Sequence, residues 1–212
     1  MITMKQRLVA CVCLLTLGAP TLSAALPLLL SEALYDAAGS DDGHVFVELY
    51  GPSGLDLTGF TLEGVNGADG AVGPVLALAG LVPQDGFFVV ADSASGVTQV
   101  AEADLLLNFD FQNGPDSIVL RDPNGATLDA LGYGAFGAGD VFAGEGLSAP
   151  DPPAGQSLAR LFADLDSDDN AADFHALEQP TPGSGLTQVP EPTAALLLSA
   201  ACLMLAGLRR RS

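Results

Sequence analysis

The chain has 212 residues, with 26 acidic side chains against seven basic ones and a formal net charge of −19. Lys5 and Arg7 lie at the start and Arg209, Arg210 and Arg211 at the end, which leaves Arg121 and Arg160 for the middle. So little positive charge argues against nucleic-acid binding, which needs Lys and Arg to displace counterions from phosphates. Cys11, Cys13 and Cys202 also lie towards the ends, so the middle has no thiolate or disulfide chemistry.

Residues 1–7 form a basic leader, 8–19 a short apolar run, and 21–25 a stretch of small residues. That is the layout of a secretory signal peptide over 1–25, because the apolar run is too short to span a membrane. Residues 26–35 are expected as the first strand, and 36–43 as a polar turn. Over 44–50, Val45, Val47 and Leu49 alternate with Phe46, Glu48 and Tyr50, giving a strand with one aliphatic and one mixed face. Gly51-Pro52-Ser53-Gly54 breaks that pattern. A strand over 59–64, a glycine-rich loop over 65–73 and an apolar run over 75–81 follow.

Pro83-Gln84-Asp85-Gly86 reads as a turn that delivers a buried strand over 87–91. A polar loop over 92–104 leads to a short strand over 105–107. The runs 117–121 and 126–133 read as a hairpin, because Asn124-Gly125 accepts the positive φ that tight turns require. Residues 134–154 form a long loop, 156–161 a late strand, and 163–185 an irregular closing segment. Many short strands separated by turns, with no long amphipathic helix, predict an all-β sandwich over 26–187.

The tail has its own pattern. Val189, Pro190, Glu191 and Pro192 precede an apolar stretch over 193–208 and then Arg209, Arg210 and Arg211. Those 16 residues make a helix of roughly 24 Å at ~1.5 Å per residue. Snorkelling of Arg209 and thinning of the bilayer can make up the difference from a ~30 Å core. The arginines would stay cytoplasmic and the domain would face outward. Segment 188–212 resembles the PEP-CTERM sorting signal of exopolysaccharide-producing Gram-negative bacteria. That resemblance implies processing by an exosortase-type membrane enzyme; the competing reading is an ordinary C-terminal anchor.

A second resemblance covers most of the domain. Leu30-Ser31-Glu32-Ala33-Leu34-Tyr35, the run Phe46-Val47-Glu48-Leu49-Tyr50 with its loop and the following DLTGFTL, and residues 81–90 occur in one order. They are followed by residues 116–122, 125–133 and 155–160, then Asp173-Phe174 and Thr181-Pro182-Gly183. This series resembles the lamin-tail domain, which implies an immunoglobulin-like β-sandwich. With the two ends, it would be flanked by an N-terminal signal helix and a C-terminal transmembrane helix.

Three patterns bear on chemistry. Gly132-Tyr133-Gly134-Ala135-Phe136-Gly137 fits G-x-G-x-x-G, but the glycines and prolines after Gly137 do not permit the helix that a dinucleotide site needs. Ser157, Asp166 and His175 fall in hydrolase order, yet Ser157 lies in an expected strand rather than at a strained strand-to-helix turn. His44 is expected at a strand end on the surface and His175 in a loop. Asp164, Asp166, Asp168 and Asn170 place oxygens at alternate positions of a turn, a candidate Ca²⁺ site. Asp169 stands where an EF-hand wants Gly, and Asp and Asn also shape turns without an ion. Phe87, Phe88, Phe109, Phe111, Tyr133 and Phe136 offer a sugar-stacking face or, alternatively, a core.

The expected function is therefore that of a non-catalytic exported domain, structural or adhesive, in the cell envelope or extracellular matrix. It would be anchored in the inner membrane during sorting and would then contact polysaccharide or surface proteins. A Ca²⁺-dependent binding module is the alternative, and a secreted hydrolase comes behind it.

Overall fold

Glycine and proline turns cut the chain into short strands, and the computed structural model describes them over residues 27–93 and 96–188. The expected signal peptide at 1–25, the sorting motif at 189–192, its arginines and the span at 193–208 lie outside the described residues. The strands are β1 (Leu29–Leu34), β2 (Phe46–Tyr50), β3 (Thr61–Asn66), β4 (Val72–Ala77) and β5 (Phe87–Asp92). They continue as β6 (Leu105–Leu107), β7 (Asp116–Arg121), β8 (Thr127–Tyr133) and β9 (Ser157–Arg160). One helical turn, α1 (Asn170–Asp173), leads into β10 (Phe174–Leu177). No helix among the described residues is long and apolar enough to cross a membrane.

Two sheets result, in the orders β10-β9-β1-β2-β5-β6 and β4-β3-β7-β8. Apart from the one helical turn, the described residues are therefore all-β, as the turn spacing predicts. All pairings are antiparallel except β5 with β6. The hairpin of β7 and β8 forms as expected, with Gly125 at φ +82° in its turn. Val47, Leu49, Phe88 and Val90 of the larger sheet join Leu62, Ile118, Leu120 and Leu131 of the smaller one in a single core. Burying such side chains contributes about 1.5–3 kcal/mol each before chain entropy is counted.

A bulge in β1 decides which residues face out. Leu30 pairs with Leu49 and Glu32 with Glu48, so Ser31 has no partner of its own in the ladder. The extra residue lets both Leu30 and Ala33 reach the core and turns Glu32 onto the outer face beside Glu48. That outer face is itself covered. Val100 and Ala103 pack on Leu34, Phe46, Val89 and Ala91. Farther along, residues 181–186 lie against Glu32, Glu48 and Phe87.

Two regions depart from the sequence expectation. The stretch expected as a glycine-rich loop over 65–73 turns at Gly70 and already enters β4 at Val72. Pro74 is tolerated there because β4 is an edge strand and needs no amide on its outer side. The irregular segment over 163–185 contains α1 and β10, so His175 stands on a strand rather than in a loop. Four residues are too few to show periodicity; β10 is fixed instead by its pairing with β9.

Candidate functional site

One row of directly opposed residues crosses the outer face of the larger sheet: His175 with Ala159, Ala159 with Glu32, Glu32 with Glu48, and Glu48 with Val89. Glu32 is 2% exposed and Glu48 1%. Among the described residues neither is in a salt bridge. Like charges opposed across a ladder repel, and burial in a low dielectric enlarges that repulsion.

Neutral donors meet the two carboxylates instead. Glu32 accepts from the Ser157 hydroxyl, from the Thr181 amide at 2.9 Å and from the Thr181 hydroxyl at 2.7 Å. Glu48 accepts from the Ser31 hydroxyl and the Gly183 amide, both at 2.6 Å. Burial pushes the Glu48 carboxyl up to about 8; the Ser31 and Gly183 bonds oppose this and the charge of Glu32 adds to it. A cavity of about 390 Å³ adjoins the pair, with Phe87, Leu161, Leu177 and Leu186 among its walls. His175 also lines it, and its Nδ1 is buried without a partner.

A second constellation centres on Arg160, which is 4% exposed. Its Nε donates to the Leu30 carbonyl at 2.7 Å, and Nη2 donates to both oxygens of Asp129 at 2.8 Å. Nη1 donates to Asp173 at 2.8 Å, the Leu165 carbonyl at 3.0 Å and Asp166 at 3.2 Å. The guanidinium also lies 4.6 Å from the centre of the Phe174 ring, within cation–π range. Burial opposes the Arg160 charge, but Asp129, Asp166 and Asp173 together outweigh it and push the guanidinium up. Burial pushes the Asp129 carboxyl up, and Arg160 and the Leu30 amide pull against it. For Asp173 burial is outweighed by two hydrogen bonds from Ser167 together with Arg160, which hold it below the usual range.

Glu145 completes this neighbourhood. Burial, then Asp129 and Asp166, push its carboxyl up to about 8, and its Oε2 is buried without a partner. Oxygens of Asp129, Glu145 and Asp166 lie within 4.8 Å of one another. Two of those three residues are bonded to Arg160, so a cation built into the chain already serves them.

The four residues of the candidate Ca²⁺ turn point to separate tasks. Asp164 accepts from the Gln188 amide at 2.7 Å, and Asp166 pairs with Arg160. Asp168 is exposed at φ +55°. Asn170 is fully buried: its Oδ1 accepts from the amides of Gly132 and Glu145, and its Nδ2 donates to the Ala130 carbonyl. Only Asp166 belongs to the close oxygen cluster. Asp169, the residue that breaks the EF-hand pattern, caps α1 by accepting from the Ala171 amide.

The residues in hydrolase order are engaged elsewhere. Ser157 donates to Glu32, Asp166 accepts from Arg160, and His175 faces Ala159 across the ladder. In the glycine motif, a Cβ on Gly132 would come within 2.2 Å of the Phe142 ring, so this glycine serves close packing. No helix follows Gly137. Phe87, Phe88, Phe109, Phe111 and Tyr133 are buried, Tyr133 stacked on Tyr35 with ring centres 3.9 Å apart. Phe136 is partly exposed and packs edge-on to Phe142. His44 is exposed just before β2.

Sequence reasoning passed over Glu32, Glu48, Asp129 and Asp173. A signal was present: each is an acid inside or beside an apolar strand, in a region with two arginines. No protein family matches the chain, and no curated protein is similar to it.

Proposed function

We propose that this chain is a non-catalytic exported domain of the lamin-tail, immunoglobulin-like kind. In this reading it is delivered by the signal peptide at 1–25 and sorted through its Pro-Glu-Pro tail by an exosortase-type enzyme. Its place is the envelope or extracellular matrix of a Gram-negative bacterium, and its role is structural or adhesive, through contacts with surface proteins or polysaccharide. One observation carries the proposal: the stretches behind the lamin-tail resemblance meet in space. Glu32, Glu48, Thr181 and Gly183 come from three of them and are hydrogen-bonded together on the outer face. Asp129, Arg160, Asp173 and Phe174 come from three more and share the Arg160 knot. Most of the distinctive polar residues thus hold the fold together, which suits a domain that acts through its surface.

Intact mass and cell fractionation of the native product in an exosortase-bearing host test this. Loss of the tail near residues 189–192, with protein outside the inner membrane, is the expected result. A retained tail at the inner membrane would reduce the chain to a simple anchored protein. Millimolar Ca²⁺ serves as the discriminating addition. A raised melting temperature would favour the Ca²⁺-dependent module, because a ligand that binds only the native state stabilises it.

A further inference from the structure

Residues 178–188 run across the outer face of the larger sheet without joining its ladder. Their attachments are few. Thr181 is bonded twice to Glu32, and Gly183 once to Glu48. Ala163 donates to the Leu186 carbonyl at 2.7 Å, and Gln188 donates to Asp164. Under this strip lies the cavity described above, walled by the strip's own Thr181, Ser184, Gly185 and Leu186. The two glutamates thus hold the strip from below, directly opposite each other and with no cation between them.

Two buried carboxylates in that geometry cannot both ionise without repelling each other at close range, so one keeps a proton. We propose that residues 178–188 are a strap that stays closed on the sheet while one of the two glutamates keeps its proton. Its loss to bulk base releases the strap. Ionisation strengthens the one Gly183 bond to Glu48, but burial and the opposed charge of Glu32 outweigh that bond, and the cavity beneath gives water a place to enter and solvate the two anions. The Gly183 end moves first, because Glu48 accepts fewer bonds than Glu32.

The other titratable groups near Glu48 are few. Glu32 faces it from β1, Tyr50 stands two residues along β2, and His175 lies beyond Ala159 on β10; Glu102 lies against Gly183, and Glu178 begins the strap. Arg160 also borders the cavity, but its guanidinium is tied to Asp129. Phe87 and Val89 of β5 and strap residues 181–186 carry no ionisable side chain. The switch therefore belongs to the glutamate pair. It does not depend on the export reading.

Hydrogen exchange of the full-length chain from pH 6 to 9.5, corrected for the intrinsic tenfold rise per pH unit, tests the proposal. Protection of the 178–188 peptide is expected to fall at least tenfold around pH 8, while β7 and β8 stay protected. Glu48→Gln, neutral at every pH, is expected to keep the strap protected throughout. Equal loss in the variant, or loss across the whole domain at once, would overturn the proposal. As a second measurement that needs no variant, the side-chain ¹³C signal of Glu48 is expected to titrate above pH 7. Titration of that signal below pH 6 would overturn the proposal too.

Discussion

The Arg160 knot and the glutamate pair face the same difficulty, carboxylates withdrawn from water, and resolve it in opposite ways. In the knot a permanent cation with five N–H donors binds three carboxylates and two carbonyls. On the outer face hydroxyls and amides surround two acids, and the proposed proton takes the place of the cation. A guanidinium keeps its charge at any pH a protein survives, whereas a carboxyl proton is lost within the ordinary range. One chain therefore contains a lock that is indifferent to pH beside one that is governed by it.

Breaking the knot should do the most damage. Arg160→Met leaves Asp129 and Asp173 buried without their cation, a loss of about 3–5 kcal/mol. Urea unfolding at pH 7 should show it, with a melting point lowered by roughly 10 °C. Adding Asp129→Leu should recover part of the loss; purely additive effects would mean that the pair is not coupled.

The proton-governed region responds to pH instead. Glu48 has an ordinary value near 4.5 and is held up to about 8 in the fold. Between those values the folded protein binds one proton more than the unfolded chain, so stability falls as pH rises through that window. The fall should be on the order of a few kcal/mol. It should shrink in Glu48→Gln and persist in Arg160→Met. An unchanged slope in the glutamine variant would put the proton elsewhere, Glu145 being the next candidate.

Smaller effects sharpen the contrast. Asn170→Ala strips partners from the amides of Gly132 and Glu145 and from the Ala130 carbonyl, and should cost about 2–3 kcal/mol at every pH. Arg121→Ala removes a partly exposed pair with Glu63 and should change unfolding by less than about 1 kcal/mol, less still in high salt. A loss as large as that at Arg160 would contradict the distinction between buried and surface pairs.

The sequence reveals the strands better than the site. Alternation over 44–50 and the glycine turns place β2, β5, β7 and β8 nearly residue for residue, because each strand buries an apolar face. Glu32 stayed hidden because its orientation depends on a bulge that no local signal announces. Asp129 sits among apolar neighbours of β8, and its purpose appears only when β9 delivers Arg160 from 31 positions away. Asp164, Asp166 and Asp168 drew attention through spacing alone. Long-range partners, and not spacing, decide what a carboxylate does.

The strap ends with Gln188 held against Asp164, and the next residue in the chain is Val189. With Ala163 bonded to Leu186 and Asp164 to Gln188, two neighbouring residues of the body grip the far end of the strap. The strap is therefore hinged there, and lifting it at Gly183 swings it open without setting it free. A tethered flap of this kind closes again as a unimolecular event, at a rate that does not depend on protein concentration.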